Sequence, residues 1–289
     1  MENTQFVSVI FPTLDRGEIL VNSIKDILKQ DYPSFEIIVV DQTEHQEKEV
    51  IDFMKSNPKI KYIHITKKSL PHARNVAATK AKGEILLFLD DDIRIKDPNF
   101  ISYHQRNFKG NVGLVGGRVV SDFSLKAPDY KETGKLKFFG LKKITHFDGI
   151  RKQEIDHAPG GNMSVYKEVF KKVGGYKEIY GGNAHLEETD FCLRVKRAGL
   201  KIIFEPKAVL QHLQYQSGGC RVQDIYELRY WINHNYVFFI LENYGKLVFV
   251  MLAVRQFFWA LLSAIKRTEF KMFKVMFSAT IDGYRDYYA

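Results

Sequence analysis

The stretch GEILLFLDDDIRI, residues 83–95, decides the fold. Its uninterrupted apolar run from Ile85 to Leu89 is too short for a core helix, which predicts a strand buried on both faces. Asp90, Asp91 and Asp92 stand where that strand ends. Like charges this close repel one another and resist loss of water. A turn needs one Asp as a cap, so three adjacent carboxylates point to a site that expects a cation.

Upstream, similar runs occur at FVSVIFP (6–12), EIIVVD (36–41) and YIHIT (62–66). Between them EILVNSIKDILKQ (18–30), KEVIDFMKS (48–56) and HARNVAATKAK (72–82) have helical character. Alternating strand and helix predicts an α/β fold with a mostly parallel, Rossmann-like central sheet and helices on both faces. Ligands of such sheets bind beyond the carboxyl ends of the strands. Asp15, Asp41 and Asp90 to Asp92 all follow strand ends, so they are expected to face one cleft. Neither GxGxxG nor GxxxxGK[ST] occurs at these junctions, so a bound nucleotide is held by another device.

Downstream, VGLVGGRVV (112–120) reads as a further strand, and residues 124–153 as a lysine-rich, poorly periodic loop or acceptor-binding flap. APGGNMSVYKEVFKKVGGY (158–176) is a glycine turn leading into a short helix. HLEETDFCLRVKRAG (185–199) carries a helical stripe of Phe191, Val195 and Ala198 ended by Gly199, and IIFEP and AVLQHL follow as two strands. From Asp224 onward the chain reads as helix. KLVFVMLAVRQFFWALLSAIKR (246–267) approaches bilayer-spanning length, but Arg255 and Gln256 sit at its middle. A mid-membrane arginine on a lone span costs at least a few kcal/mol. The expected arrangement is therefore a helix lying in the interface, with Lys246, Lys266, Arg267, Lys271 and Lys274 meeting anionic headgroups. The competing reading is a helix packed on the globular domain or on a second subunit.

The chain has 289 residues and a formal net charge of +9, which implies affinity for something acidic: nucleic acid, an anionic membrane or a phosphorylated substrate. Its two cysteines, Cys192 and Cys220, have no metal-ligand or disulfide spacing and read as core filler in an intracellular protein. MENTQFVSVIFP carries no secretory signal, so the catalytic part is expected in the cytoplasm, peripheral on the inner face of the membrane.

At this point the sequence resembles the inverting family 2 glycosyltransferases of GT-A fold, of the bacterial or archaeal polysaccharide and glycolipid type. The matching pieces stand in the family's order across residues 5–221: VSVIFPT, EIIVVD, LPHARNVAATKAKGEILLFLDDD, GGNMSVYKEVFKKVGGY and HLEETDFCLRVKRAGLKIIFEPKAVLQH. The resemblance implies a catalytic domain over 1–221, with a nucleotide-binding half of about 1–95 and an acceptor-binding half of about 96–221. Residues 222–289 then form a C-terminal amphipathic helical region. The resemblance also implies a nucleotide-sugar donor, UDP- or dTDP-linked, a glycan or lipid-linked acceptor, and Mg²⁺ or Mn²⁺ as cofactor.

By the same resemblance Asp90 and Asp92 have the DxD spacing that contacts the ribose and the metal, with Asp92 the direct ligand and Asp91 beside them. His212 is a further metal ligand or diphosphate contact. Pro12, Thr13 and Asp15 line the first loop, Asp41 meets the nucleotide base, and Arg74 and Arg221 face the diphosphate. Gly160, Gly161 and Asn162 shape the wall between donor sugar and acceptor. The base that takes the acceptor's proton matches Glu188 by position, with Glu187 and Asp190 as competitors. Asp190 and Arg194 are also spaced for an i, i+4 ion pair. Asp41-Gln42 departs from the family's usual Asp-Asp or Asp-Asn, which leaves base selectivity open, as the oligomeric state is. A sugar nucleotidyltransferase, whose first loop is normally glycine-rich, fits FPTLDRGEIL less well. A nucleic-acid-binding module is disfavoured because the aromatics fall in strands and apolar helices without interleaved basic residues.

Overall fold

The computed structural model describes residues 4–215, 217–267 and 270–289, without the side chains of 259–260 and 263–267. The first half alternates as the periodicity predicts: β1 (Val7–Thr13), α1 (Gly17–Leu28), β2 (Phe35–Asp41), α2 (Lys48–Ser56), β3 (Ile60–His64), α3 (Leu70–Lys80) and β4 (Ile85–Leu89). Then come β5 (Ile93–Arg94), α4 (Phe100–Gln105), β6 (Val112–Val120), β7 (Lys135–Lys137), β8 (Lys142–Ile144), β9 (Gln153–Glu154), β10 (Asn162–Tyr166), α5 (Lys167–Lys172) and α6 (Glu187–Arg197). The chain closes with β11 (Lys201–His212), α7 (Ile225–Arg267) and α8 (Phe270–Tyr288).

The main sheet runs β3-β2-β1-β4-β10-β6-β11-β5, with β9 beside β11. β1 pairs in parallel with β2 and β4, β2 with β3, and β6 with β11, while β10 is antiparallel to both β4 and β6. Alternate residues of the central strands feed two cores. Val9, Phe11, Leu87 and Leu89 pack toward one layer, and Ile10, Ile38, Leu86 and Phe88 toward the other. All are fully buried, which explains the unbroken apolar run of β4; each such side chain contributes roughly 1.5–3 kcal/mol through its burial.

Four expectations need revision. Between the glycine turn at 160–161 and α5 lies a strand that the reading of 158–176 missed, β10, which sits between β4 and β6. IIFEP and AVLQHL form one strand, not two, because β11 absorbs Pro206 in an irregularity where its register against β6 shifts between Glu205 and Val209. The lysine-rich excursion holds a small hairpin of its own, β7 against β8. The third helix begins two residues before the predicted start, where Ser69 accepts a hydrogen bond from His72 N–H and Pro71 occupies the first turn.

The C-terminal region is partly core. Phe238, Phe239 and Ile240 of α7 are buried in a third cluster with Tyr180, Ala184 and Leu186, which lie just before α6. Asn235 exchanges two hydrogen bonds with the Gly181 backbone. Gly245, at φ 83° and ψ −178°, interrupts the helix in a conformation that suits glycine alone. Beyond it Leu247, Val250, Met251, Val254, Phe257, Phe258 and Leu262 are exposed. The stretch Ile225–Phe258 is long and apolar enough to cross a membrane by length and composition, although its first half is docked on protein.

Candidate active site

The cleft opens at the carboxyl ends of β1, β2 and β4, where the parallel register brings Thr13, Asp41 and the acidic triplet to one edge. A cavity of about 190 Å³ lies there, lined among others by Thr13, Arg16, Asp90, Asp92, His212 and Arg221. The turn carrying the triplet is strapped down by Ser23 of α1, whose hydroxyl donates to the carbonyls of Asp91 and Ile93 and accepts from Ile93 N–H. β5 then pairs antiparallel with the end of β11, setting His212 opposite Ile93.

The three carboxylates have different surroundings. Asp91 is buried, accepts from Thr13 Oγ1 at 2.7 Å and lies 3.6 Å from Arg16. Burial, opposed by Thr13 and Arg16, pushes its carboxyl up to about 7. Asp92 meets His212 Nε2 at 2.9 Å, Arg16 at 3.3 Å and the Tyr215 N–H at 3.2 Å. Burial resists its charge, yet these partners hold its carboxyl below the ordinary range. Burial likewise opposes the His212 charge, and Asp92 and Asp90 outweigh it, raising the imidazole above its usual value. Asp90 is the open one, a third exposed, 4.0 Å from His212 and 3.7 Å from Arg74. Its carboxylate fills the space a side chain at residue 161 would need: a Cβ on Gly161 would stand 1.9 Å from Asp90 Oδ2.

Arg74 connects this cluster to the second one. It is buried on α3, ion-paired with Glu187, and donates to the Gly160 carbonyl at 3.1 Å, with its guanidinium 5.3 Å from the Tyr176 ring centre. Burial works against its charge, but Glu187, Tyr176, Asp90 and Glu188 more than compensate and raise its pKa. Glu187 is pushed up to about 8 by burial, against the pull of Arg74 and with help from Glu188 and Asp90. Glu188, the next residue, is paired instead with Lys143 of β8, whose Nζ lies 2.7 Å from Oε1. The Thr189 hydroxyl donates to the same oxygen. Burial resists its charge, but Lys143, His185 and His157 bring its carboxyl down to about 2.

The remaining expected residues divide. Arg221 comes within 3.8 Å of Asp92, and Gly219 N–H bonds the Leu14 carbonyl, which lays the segment after β11 over the first loop, where Asp15 holds a left-handed φ of 54°. Gln216 of that segment lies outside the described residues, as do the side chains of Lys266 and Arg267. Pro12 lines the cavity. Asp41 is fully buried and accepts from Thr43 N–H, Gln46 and Tyr62. Asn162 is not part of an exposed wall; it is fully buried, bonding His104 and the Arg118 and Ala208 carbonyls across three strands. Asp190 is turned away from the cleft and bonded at 2.9 Å to both Arg194 and Asn243.

Arg16 and Lys143 did not stand out in the sequence, and Gln42 did so only as a departure from the family's usual pair. Arg16 is the one basic residue in the first loop, next to Asp15, and that adjacency is the available signal. Gln42, whose Oε1 accepts from Ser69 N–H at 2.6 Å, ties the second strand to the start of α3. Lys143 is one lysine among several in an aperiodic segment and carries no sequence signal of its own. Among the described residues, no three carboxylate, imidazole or thiol groups stand in ready metal-binding geometry, and Asp92 and His212 bond each other.

Similarity to known proteins agrees with this geometry. The chain is 24% identical over 221 residues to a glucosyl-dolichyl phosphate glucuronosyltransferase of Haloferax volcanii, covering 73% of this chain and 70% of that one. It is 28% identical over 183 residues to a GalNAc(5)-diNAcBac-PP-undecaprenol beta-1,3-glucosyltransferase of Campylobacter jejuni, covering 61% and 56%. Of other relatives it matches, such as the O-antigen biosynthesis protein RfbC of Myxococcus xanthus, it spans only 19% of the length. The fold matches a Pyrobaculum calidifontis mannosyltransferase solved with GDP-Man and Mn²⁺, with a TM-score of 0.59, 14% identity and coverage of 99% and 88%. Staphylococcus aureus TarS with UDP-GlcNAc gives a TM-score of 0.56 at 18% identity, covering 83% and 68%. The profile described as glycosyl transferase family 2 matches residues 8–174, more than half the chain, and with the strand order and the acidic clusters above it identifies this protein as a member of that family, a glycosyltransferase of GT-A fold.

Proposed function

We propose that this glycosyltransferase moves a sugar from a nucleotide diphosphate, UDP- or dTDP-linked, to a glycan or lipid-linked acceptor with inversion, by single displacement, using a divalent metal. The observation that carries this reading is Arg74, which joins the Asp90 carboxylate at one end of the cleft to Glu187, beside Glu188, at the other. Asp90, Asp92 and His212 fit Mg²⁺ or Mn²⁺ by donor chemistry: two hard oxygens and an imidazole, with room at Gly161 kept for a carboxylate. These three residues would hold the ion, which when bound neutralises charge on the departing diphosphate. The relatives' names, a dolichyl phosphate and a PP-undecaprenol, favour a lipid-linked acceptor.

In the displacement the acceptor hydroxyl oxygen bonds to the anomeric carbon, the bond to the diphosphate oxygen breaks, and the proton passes to Glu188. Arg74 and Arg221 offer planar donor forks to the phosphates. Glu188 is ionised while Lys143 holds it, but a carboxylate near 2 is a weak base. An acceptor that draws Lys143 away strengthens the base as the reaction begins. The exposed apolar face beyond Gly245 supports a peripheral seat on the inner membrane face, with Lys246, Lys271 and Lys274 toward anionic headgroups.

Glu188→Gln tests the assignment. It is expected to lower sugar transfer at least a hundredfold and leave nucleotide affinity, measured by calorimetry, within a few-fold of the parent. Full transfer activity in the variant would move the base to another residue.

A further inference from the structure

A second cavity, of about 510 Å³, lies away from the nucleotide cleft, between the β7–β8 turn and the C-terminal helices. Arg229 and Arg255, from the two halves of α7, both line it. Neither has an acidic partner within ion-pair distance among the described residues, whereas Lys143, Lys177 and Lys196 are each paired. Asn233, which also lines the cavity, is 3% exposed; its amide nitrogen serves Met276 and Thr280, and its buried Oδ1 has no hydrogen-bond partner. The buried Gln256 Oε1 is in the same condition.

Gln256 and Met276 line both this cavity and an adjoining hollow of about 280 Å³ between α7 and α8, walled by Val254, Phe257, Phe258, Phe273 and Phe277. The two spaces together form an amphipathic slot, with two unpaired guanidinium groups at one end and aromatic rings along the other. Guanidinium forks match phosphate oxygens, and a ringed groove matches a hydrocarbon chain. A free alcohol would leave the cations without a partner, and a soluble anion would leave the rings without one.

The geometry points to this slot as the seat of the acceptor's lipid phosphate: a long-chain alkyl or isoprenoid phosphate or diphosphate, its phosphoryl group between Arg229 and Arg255 and its chain along Phe257, Phe273 and Phe277. This rests on the reading of the enzyme as acting on a lipid-linked acceptor. The connection to the chemistry runs through one hairpin. Leu141 lines the cavity, and Lys143, two residues on and about 7 Å away along the chain, holds Glu188. Tyr236 anchors the same turn by donating to the Gly140 carbonyl at 2.7 Å. A lipid phosphate bound in the slot therefore sits against the hairpin that carries the partner of the proposed base.

The test uses the full chain, with farnesyl phosphate, farnesol and inorganic phosphate titrated separately by calorimetry against the parent and the Arg229→Gln/Arg255→Gln double variant. Farnesyl phosphate is expected to bind the parent at least tenfold more tightly than farnesol or inorganic phosphate. The double variant should lose that advantage and keep the farnesol affinity. Phe257→Gln/Phe277→Gln should weaken both farnesyl ligands and leave nucleotide affinity unchanged. Equal binding of farnesyl phosphate by parent and double variant overturns the assignment. So does inorganic phosphate binding as tightly as farnesyl phosphate, or a double variant whose only defect is adsorption to phosphatidylglycerol vesicles, which would mark the arginines as a bilayer contact. Nucleoside diphosphate release from nucleotide sugars, measured in parallel, reports on the proposed reaction independently, so failure of that reading and failure of the slot are separable.

Discussion

Gly161→Ala isolates the placement of Asp90 from the rest of the fold. A Cβ at residue 161 would stand 1.9 Å from Asp90 Oδ2, so the carboxylate must retreat by roughly 1.5 Å to reach an ordinary contact of 3.4 Å. The backbone at 161 has no positive φ, so alanine itself is unstrained, and the unfolded chain loses about 0.4–1 kcal/mol of conformational entropy in its favour. Asp90 is a third exposed and free to swing outward, which keeps the stability cost small. It leaves its positions beside Arg74 and His212, however, and displacements of about 1 Å at a reacting centre cost on the order of a hundredfold in rate. The expected result is a melting temperature within a few degrees of the parent and a fall of roughly a hundredfold or more in nucleoside diphosphate release with Mn²⁺. Because both changes act through one carboxylate, Gly161→Ala added to Asp90→Ala should cost almost nothing further. A variant within threefold of the parent, or additive losses in the double variant, would refute the reasoning.

Lys143→Met should move the acid limb of the pH–rate profile upward by about two units or more, since Glu188 then rises from about 2 toward and beyond its ordinary 4.5; activity at pH 7.5 should change only a few-fold. An unmoved limb would dissociate Lys143 from the base. Burial depresses His104 to about 4 and His157 to about 3, against an unfolded value of 6.5. The unfolded chain alone takes up these protons as pH drops below 6.5, so stability should fall through the window from 6.5 to about 4, by on the order of 3 kcal/mol for His104. Urea midpoints measured across that range, with and without His104→Gln, check the slope. Asp190→Ala, which strips Arg194 and Asn243 of a fully buried partner, should cost about 3 kcal/mol and leave donor turnover of the folded protein intact. Loss of turnover without loss of stability would return Asp190 to the chemistry.

The parallel half of the fold was readable because its strands are buried on both faces and therefore unbroken in apolar character, as in Ile85 to Leu89. Their ends could be located, and with them the shared address of Thr13, Asp41 and the triplet. The pair of Asp190 with Arg194 was readable for the same reason, a fixed helical spacing. What escaped depends on contacts between distant segments. Nothing local distinguishes Asp91 from its neighbours; its burial under Thr13 and Arg16 comes from how β1 and β4 lie side by side. Asn162 reads as a loop residue after two glycines, and only the convergence of β10, β6 and β11 makes it a buried crosslink. The hairpin that delivers Lys143 is short and polar, with too few residues for any periodicity.

Arg74 holds one guanidinium between two acidic groups, Asp90 where the donor is proposed to bind and Glu187 beside the proposed base. A ligand that competes for that fork at one end alters what the other end can offer its own ligand. By thermodynamic reciprocity the change in affinity is the same in both directions. A single shared cation would thus couple the two proposed substrate sites, and calorimetry of each in the presence of the other would read the coupling as a cooperativity factor.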